Sequence, residues 1–289
     1  MSALSRAGWS NGARLALSLV VNVEEGAEQN IRDGDRGPDP VDELGIVLKT
    51  PVRNFGNESN YEYGIREGGP RVLDLLAKYQ MRATFTASAM ALERAPQLAE
   101  RIVADGHEVC AHGYRWQAQL GMSIDTEREF IAAAVRSITQ TCGQRPVGWL
   151  SRYLHTENTR QLLAEAGFRY HMDDFSRDEP WVDRSVKPPL LVLPYALDSN
   201  DMKLWSAPAL TPDAWFEYAR ASFDWLYSEG ARRERLMMSL GVHLRIIGRP
   251  GRIVVYEKFL RHVAAAGDVW IATRQDIAAS SDCASLSTT

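Results

Sequence analysis

The chain has 289 residues, enough for two small domains or for one large α/β domain of barrel type with a sizeable core. A net charge of −4, with acidic and basic residues mixed along the chain, excludes the basic footprint of a nucleic-acid binder. The cysteines Cys110, Cys142 and Cys283 are scattered and form no CxxC pair, which excludes a thiolate zinc cage and points to a reducing cytoplasm.

Residues 1–13 read as a flexible N-terminus without the apolar core of a signal peptide. Arg14–Val23 is a buried strand, rich in Leu and Val and closed by Glu24-Glu25-Gly26. Ala27–Gly69 is polar and rich in Asp, Gly, Pro and Asn, and reads as a long loop excursion over the surface. Strands and helices then alternate. Val72–Tyr79 is a helix and Ala83–Ser88 a strand; Ala91–Ala104 is a helix ended by Asp105-Gly106, and Val109–His112 a strand. Asp125–Thr141 is a helix capped by Ser123 or Asp125, followed by a strand at Val147–Leu150. Thr156–Ala166 is a helix stopped by Gly167, and strands follow at Phe168–Met172 and Leu190–Pro194. Pro212–Glu229 is a helix with Pro in its first turn. Leu236–His243 is a strand, Ile253–Ala265 a helix and Val269–Ala272 a last strand. Residues 278–289, rich in Ser, Thr and Ala, read as a flexible tail.

About seven strand–helix units imply a parallel sheet covered by helices. The expected fold is a single-domain distorted (β/α)7-type barrel over residues 14–277, with a long N-terminal loop excursion. No GxGxxG or GxxxxGK[ST] follows a strand, so a nucleotide cofactor fold has no support. No apolar run reaches the ~20 residues that span a bilayer, so no membrane partner is expected.

Barrel active sites sit at the C-terminal ends of the strands. Those ends carry Glu24 and Glu25, His112, Trp149 to Arg152, Asp173 and Asp174, Asp198 to Asp201, and His243. Acids and histidines in such places fit general acid–base hydrolysis. Glu24 or Glu25 is a candidate base if it converges with His112 or His243; otherwise the pair is a solvated turn. His107 and His112 lie on opposite faces of their strand, and His107 reads as structural. Cys110 shares the face of His112 and reads as a small buried hydrophobe. His155 is a candidate substrate contact, His171 has a weak context, and His262 reads as surface. Asp198-Ser199-Asn200-Asp201 is equally a turn and a substrate-binding segment.

The order of these motifs resembles the polysaccharide deacetylase (NodB-homology) family of carbohydrate esterases, from about Arg14 to Ile277. Where the family's first strand ends in Thr-Phe-Asp-Asp-Gly, this chain has Asn22-Val23-Glu24-Glu25-Gly26. The resemblance therefore implies a catalytic base at Glu24 and a metal ligand at Glu25. The family's pair of histidines four apart falls on His112 and Trp116, and its last motif falls on His243 as general acid. Gly148-Trp149-Leu150-Ser151-Arg152-Tyr153 departs from the family's Arg-Pro-Pro-Tyr, and no role is carried onto it. The chain is more similar to a branch of metal-independent allantoinase-like and cyclic-imide-hydrolase-like proteins. That similarity lies at Asn22–Gly26, Tyr61–Arg66, His112–Trp116, Asp198–Met202 and Gly248–Arg252.

This resemblance implies a C–N hydrolase that opens a small cyclic amide, imide or ureide. It also implies a homo-oligomer, a tetramer by analogy. Glu24 and His243 are the expected base and acid. His112 and the indole N–H groups of Trp116 and Trp149 are expected to polarise the carbonyl or fix the ring, with Tyr61, Arg66, Arg115 and Asn200 as further substrate contacts. No cofactor is expected to be required, because indole nitrogen only donates and cannot ligate. A weakly held divalent metal such as zinc on Glu25 and His112 is the open alternative. Two competing readings remain: a metal-dependent polysaccharide or peptidoglycan N-deacetylase, and an inactive ligand-binding homologue.

Overall fold

A computed structural model describes residues 9, 11–43, 45, 48 and 50–281. Its first strand, β1 (Leu15–Val23), is buried at every position. Such a continuous apolar run is what a parallel strand covered on both faces requires. The other strands are β2 (Thr84–Ala87), β3 (Glu108–Ala111), β4 (Gly148–Trp149), β5 (Tyr170–His171), β6 (Trp181–Asp183), β7 (Leu190–Val192), β8 (Met237–His243) and β9 (Val269–Ile271). The sheet runs β6-β7-β5-β4-β3-β2-β1-β8, with β9 beside the first half of β1. Every pairing is parallel except β6 with β7. The sheet curls into a partly closed barrel in a single domain. Loop contacts reach β8 from the segments beside β6 and β7: Met237 N–H donates to the Asp178 carbonyl, and Ala196 N–H to Ser239 Oγ.

The helices are α1 (Phe55–Tyr63), α2 (Gly69–Lys78), α3 (Ala89–Arg94), α4 (Pro96–Ala104), α5 (Ile124–Cys142), α6 (Thr159–Glu165), α7 (Pro212–Glu229), α8 (Leu244–Ile247), α9 (Pro250–Ala264) and α10 (Arg274–Ser280). Their starts and stops follow the sequence. Ser123 Oγ accepts the Thr126 N–H at the head of α5, and Gly143 closes it in the left-handed region at φ 70°.

Strand alternation decides which side chains enter the barrel. Ala16 and Val20 of β1 pack inside with Cys110, Tyr170 and Met237, whereas Leu15, Leu17, Leu19 and Val21 pack outward under the helices. Continuing that parity, Asn22 and Glu24 face the interior and Glu25 faces out. The β1–β8 register pairs Asn22 with His243.

Several elements differ from the expectation. The excursion at 27–69 is not loop throughout, because it contains α1 and a π-helical turn at Gly64–Gly68. Helix α1 reads FGNESNYEY and buries only Asn57 and Tyr61, so it carries no apolar period to read. The helix expected over Ala91–Ala104 is two helices. Pro96 has no N–H and forces Ala95 out of helical geometry (φ −126°, ψ 61°). Strand β6 is too short to show a pattern. Helix α10 runs past residue 277 into the stretch assigned to the tail. At the other end Trp9 is buried against Trp270 and donates to the Leu236 carbonyl. Residues 1–8, 10 and 282–289, Cys283 among them, lie outside the described residues. No helix among the described residues is long and apolar enough to cross a membrane.

Candidate active site

The parallel register brings the C-terminal ends of β1, β3 and β8 to one edge of the sheet, with β2 between β1 and β3, and three predicted residues meet there. Glu24 Oε1 lies 3.3 Å from His243 Nε2 and 3.5 Å from His112 Nε2. All three are buried and line a cavity of about 240 Å³. Trp116, Asn200, Asn22, Ser151, Asp173 and Tyr195 share its wall.

Burial alone would raise the pKa of Glu24, but the charges of His243 and Arg245 overrule it and hold the carboxyl well below its ordinary value. Burial would lower that of His243, but the carboxylates of Glu24 and Asp201 push it up to about 10. The pair therefore rests as carboxylate and imidazolium, the forms a base and an acid need at the start of a turnover. Asp201 completes the arrangement. Its Oδ1 lies 2.7 Å from His243 Nδ1, and its Oδ2 accepts the His243 N–H at 2.8 Å. Nε2 is thereby aimed at Glu24 and the cavity. Asp201→Asn is expected to move the alkaline limb of kcat downward from near pH 10, because one of the two carboxylates holding the His243 proton is lost. A pH–rate profile checks this.

Arg245 is the second partner that the sequence did not single out. Its guanidinium is fully buried; Nη1 lies 2.8 Å from Glu24 Oε2, and Nε donates to Glu43 Oε1 at 2.7 Å. Tyr61 lies under this guanidinium at 4.3 Å and donates its hydroxyl to the Val41 carbonyl. Glu25 is raised by burial, against the opposing charge of Arg245. Its Oε1 accepts the Arg245 backbone N–H at 3.0 Å and its Oε2 accepts the Glu24 N–H at 3.0 Å. Gly64 makes room for it: a Cβ there would stand 2.6 Å from Glu25 Oε1.

His112 has both ring nitrogens occupied. Nδ1 lies 2.7 Å from the Leu150 carbonyl, which can only accept, so Nδ1 carries the proton. Nε2 then accepts the Trp116 indole N–H at 3.1 Å. Trp116 is held by Arg152, whose guanidinium stacks 3.6 Å over the ring and donates to the Trp116 carbonyl. Asp39 in turn accepts two hydrogen bonds from Arg152, at 2.9 and 2.8 Å.

These donors do not fit a zinc site. A catalytic zinc takes three protein ligands and an open position. Here the Nε2 lone pair of His112 is engaged by indole, and both oxygens of Glu25 are engaged by backbone N–H groups. No cluster of three His, Cys, Asp or Glu able to hold a metal exists among the described residues.

Several expected contacts stand elsewhere. Trp149 is core: it packs on Phe130 and Phe168, and its indole N–H donates to Ser151 Oγ at 2.9 Å. Neither Trp149 nor Trp116 therefore has an N–H free for a substrate carbonyl. Arg66 is exposed, pairs with Glu62 one helical turn away, and borders a separate depression. Arg115 holds Asp35 and the Glu28 carbonyl, fastening the 27–43 segment. Tyr61 supports Arg245 and does not reach the cavity wall. Asn200 does line the cavity, and the 198–201 segment is turn and site at once.

Cys110 sits inside the barrel 3.8 Å from Met172 Sδ, and burial pushes its thiol well up, which removes it as a nucleophile. His107 accepts the Ala83 N–H and is structural. His171 pairs with Asp173 and meets the ring of His155 edge to face, and neither histidine lines the cavity. His262 is partly exposed and pairs with Asp224.

The chain is similar to known proteins along most of its length. The polysaccharide deacetylase family model matches residues 59–171. A Schizosaccharomyces pombe protein that carries the polysaccharide deacetylase name is 35% identical, over 93% of this chain and 91% of its own. Among solved structures, PuuE allantoinase superposes with a TM-score of 0.92 at 38% identity, covering 99% of this chain and 96% of that one. A Pseudomonas aeruginosa PAO1 protein, also named as a polysaccharide deacetylase, superposes at 0.90 with 40% identity, covering 94% and 92%. A relative this similar along nearly its whole length, on top of a shared fold, places the chain in the polysaccharide deacetylase family.

Proposed function

We propose that this protein hydrolyses a C–N bond in a small cyclic amide, imide or ureide by general acid–base attack of water. Glu24 takes a proton from the water as its oxygen bonds to the ring carbonyl carbon. The C–N bond then breaks, and His243 delivers its Nε2 proton to the leaving nitrogen. Glu24 is left protonated and His243 neutral, and return of one proton resets the pair. The product is the ring-opened carboxylic acid.

The observation that carries this reading is the Trp116 indole N–H on His112 Nε2. It occupies the lone pair with which a metal-dependent deacetylase of this family would hold its ion. An imide or ureide needs less help from a Lewis acid, since its carbonyl is more electrophilic and its nitrogen leaves as a stabilised anion. A cavity of about 240 Å³ also suits one ring better than a glycan chain. Likeness to PuuE allantoinase over nearly the whole chain supports the same substrate class.

The second reading, an N-deacetylase, is favoured by the names of the two other relatives. A hydrolysis screen separates the two. Turnover of any of succinimide, dihydrouracil, hydantoin or allantoin, with none of N-acetylated chitooligosaccharides, supports the proposal. The reverse pattern sinks it.

A further inference from the structure

The two indoles that the sequence offered as carbonyl donors are both engaged within the protein. Hydrolysis of an amide still requires a donor aimed at the oxygen on which charge develops. The candidate is Tyr195, two residues beyond Leu193 in the segment that follows β7. Its side chain is buried, and the residue shares the cavity lining with Glu24 and His243.

The hydroxyl receives two amide N–H groups, from Asn200 Nδ2 at 2.9 Å and from Asn22 Nδ2 at 3.4 Å. Neither amide can be turned round. Asn22 Nδ2 also faces the Val242 carbonyl at 3.2 Å, which only accepts. Asn200 Oδ1 accepts the Met202 backbone N–H at 2.8 Å, which only donates. A phenolic oxygen has one proton and two acceptor sites. With both acceptor sites taken by N–H donors, the proton must point away from them. No group among the described residues accepts it, and Tyr195 lines the cavity. Burial raises the phenol to about 12, against the opposing pull of the two amides, so the proton is retained. Gly241 of β8 admits the hydroxyl to this place, since a Cβ there would stand 1.9 Å from the Tyr195 oxygen.

We infer that Tyr195 is a catalytic residue: its hydroxyl donates to the carbonyl oxygen of the scissile bond and stabilises the oxyanion formed when water adds. This inference rests on the proposed hydrolysis at Glu24 and His243. Asn22 and Asn200 are positioning residues that fix the direction of the O–H.

The test is Tyr195→Phe beside Glu24→Gln, assayed on the ring that the parent opens fastest among succinimide, dihydrouracil, hydantoin and allantoin. The inference expects kcat of Tyr195→Phe to fall by about 10²–10³-fold. KM should change little, and both limbs of the pH profile should stay in place because base and acid are intact. A fall smaller than about 10-fold, with Glu24→Gln inactive, overturns the role of Tyr195 and leaves the hydrolase reading standing. A parent without turnover of any ring overturns both. If Tyr195→Phe does not fold, 3-fluorotyrosine at 195 keeps the shape and makes the donor more acidic. An unchanged kcat would then contradict the inference, and a changed one supports it.

Discussion

Replacing Glu24 by Gln is expected to lower kcat by about 10²–10⁴-fold, the range for loss of a positioned general base. The amide keeps the volume of the carboxyl, so the cavity wall is preserved. It cannot take a proton from water. It also removes the negative charge that does most to raise His243, so any residual activity should lose its alkaline limb at a lower pH than the parent. Arg245 keeps Glu25 and Glu43 as partners, so the variant should remain folded. In the parent, Glu24 sits well below its ordinary pKa and His243 near 10, so kcat should stay flat from mildly acid pH up to that limit. The two groups titrate as a pair, and the limbs belong to the pair.

Stability carries the same signature. Because the folded pKa of His243 is raised above its ordinary value, its contribution is fully present below about pH 6.5 and is lost as the pH rises through about 10. Glu24 has a depressed folded pKa. Its contribution is present above the ordinary carboxyl range and is lost as the pH falls toward the depressed value.

The largest effect on folding is expected at Asp39→Ala. Arg152 is buried, and Asp39 meets it with two hydrogen bonds. Removing the carboxylate leaves an uncompensated guanidinium in the interior, a loss of about 3–5 kcal/mol for buried pairs broken on one side. Denaturant unfolding should show a lower midpoint with little change in slope. Activity should fall as well, since Arg152 stacks on Trp116 and so fixes the indole N–H against His112. The double variant Asp39→Leu/Arg152→Met should recover much of the stability, because matched apolar residues avoid the buried charge. It should not recover full activity. If Asp39→Ala is as stable as the parent, Arg152 is not held in the way the structure shows.

Much of the barrel was legible because its strands are continuous apolar runs between Gly and acidic turns, and its helices have caps and breakers. Glu24, His112 and His243 were legible because they end such runs. Strand parity, available from sequence, also separates Glu24, pointing in, from Glu25, pointing out. What was not legible depended on long-range partners. Asp201 lay in a segment that any surface turn resembles, and only the structure shows its carboxylate on His243. Arg245 follows His243 by two residues with no local pattern to mark it, yet it is buried among three carboxylates. Trp149 ends a strand as Trp116 flanks one, and only packing shows that one indole is core and the other grips a histidine. Tyr195 carries no local signal, because its role follows from two asparagines on different segments.

The central claim is that acid–base chemistry by Glu24 and His243 proceeds without a metal at His112. It is tested most directly by measuring kcat/KM on the best cyclic substrate against bound metal, in protein stripped with a chelator and then supplied with zinc. Full activity is expected at far below one metal per chain, with no gain on adding zinc. Activity that disappears with the metal and returns in proportion to zinc bound would contradict it.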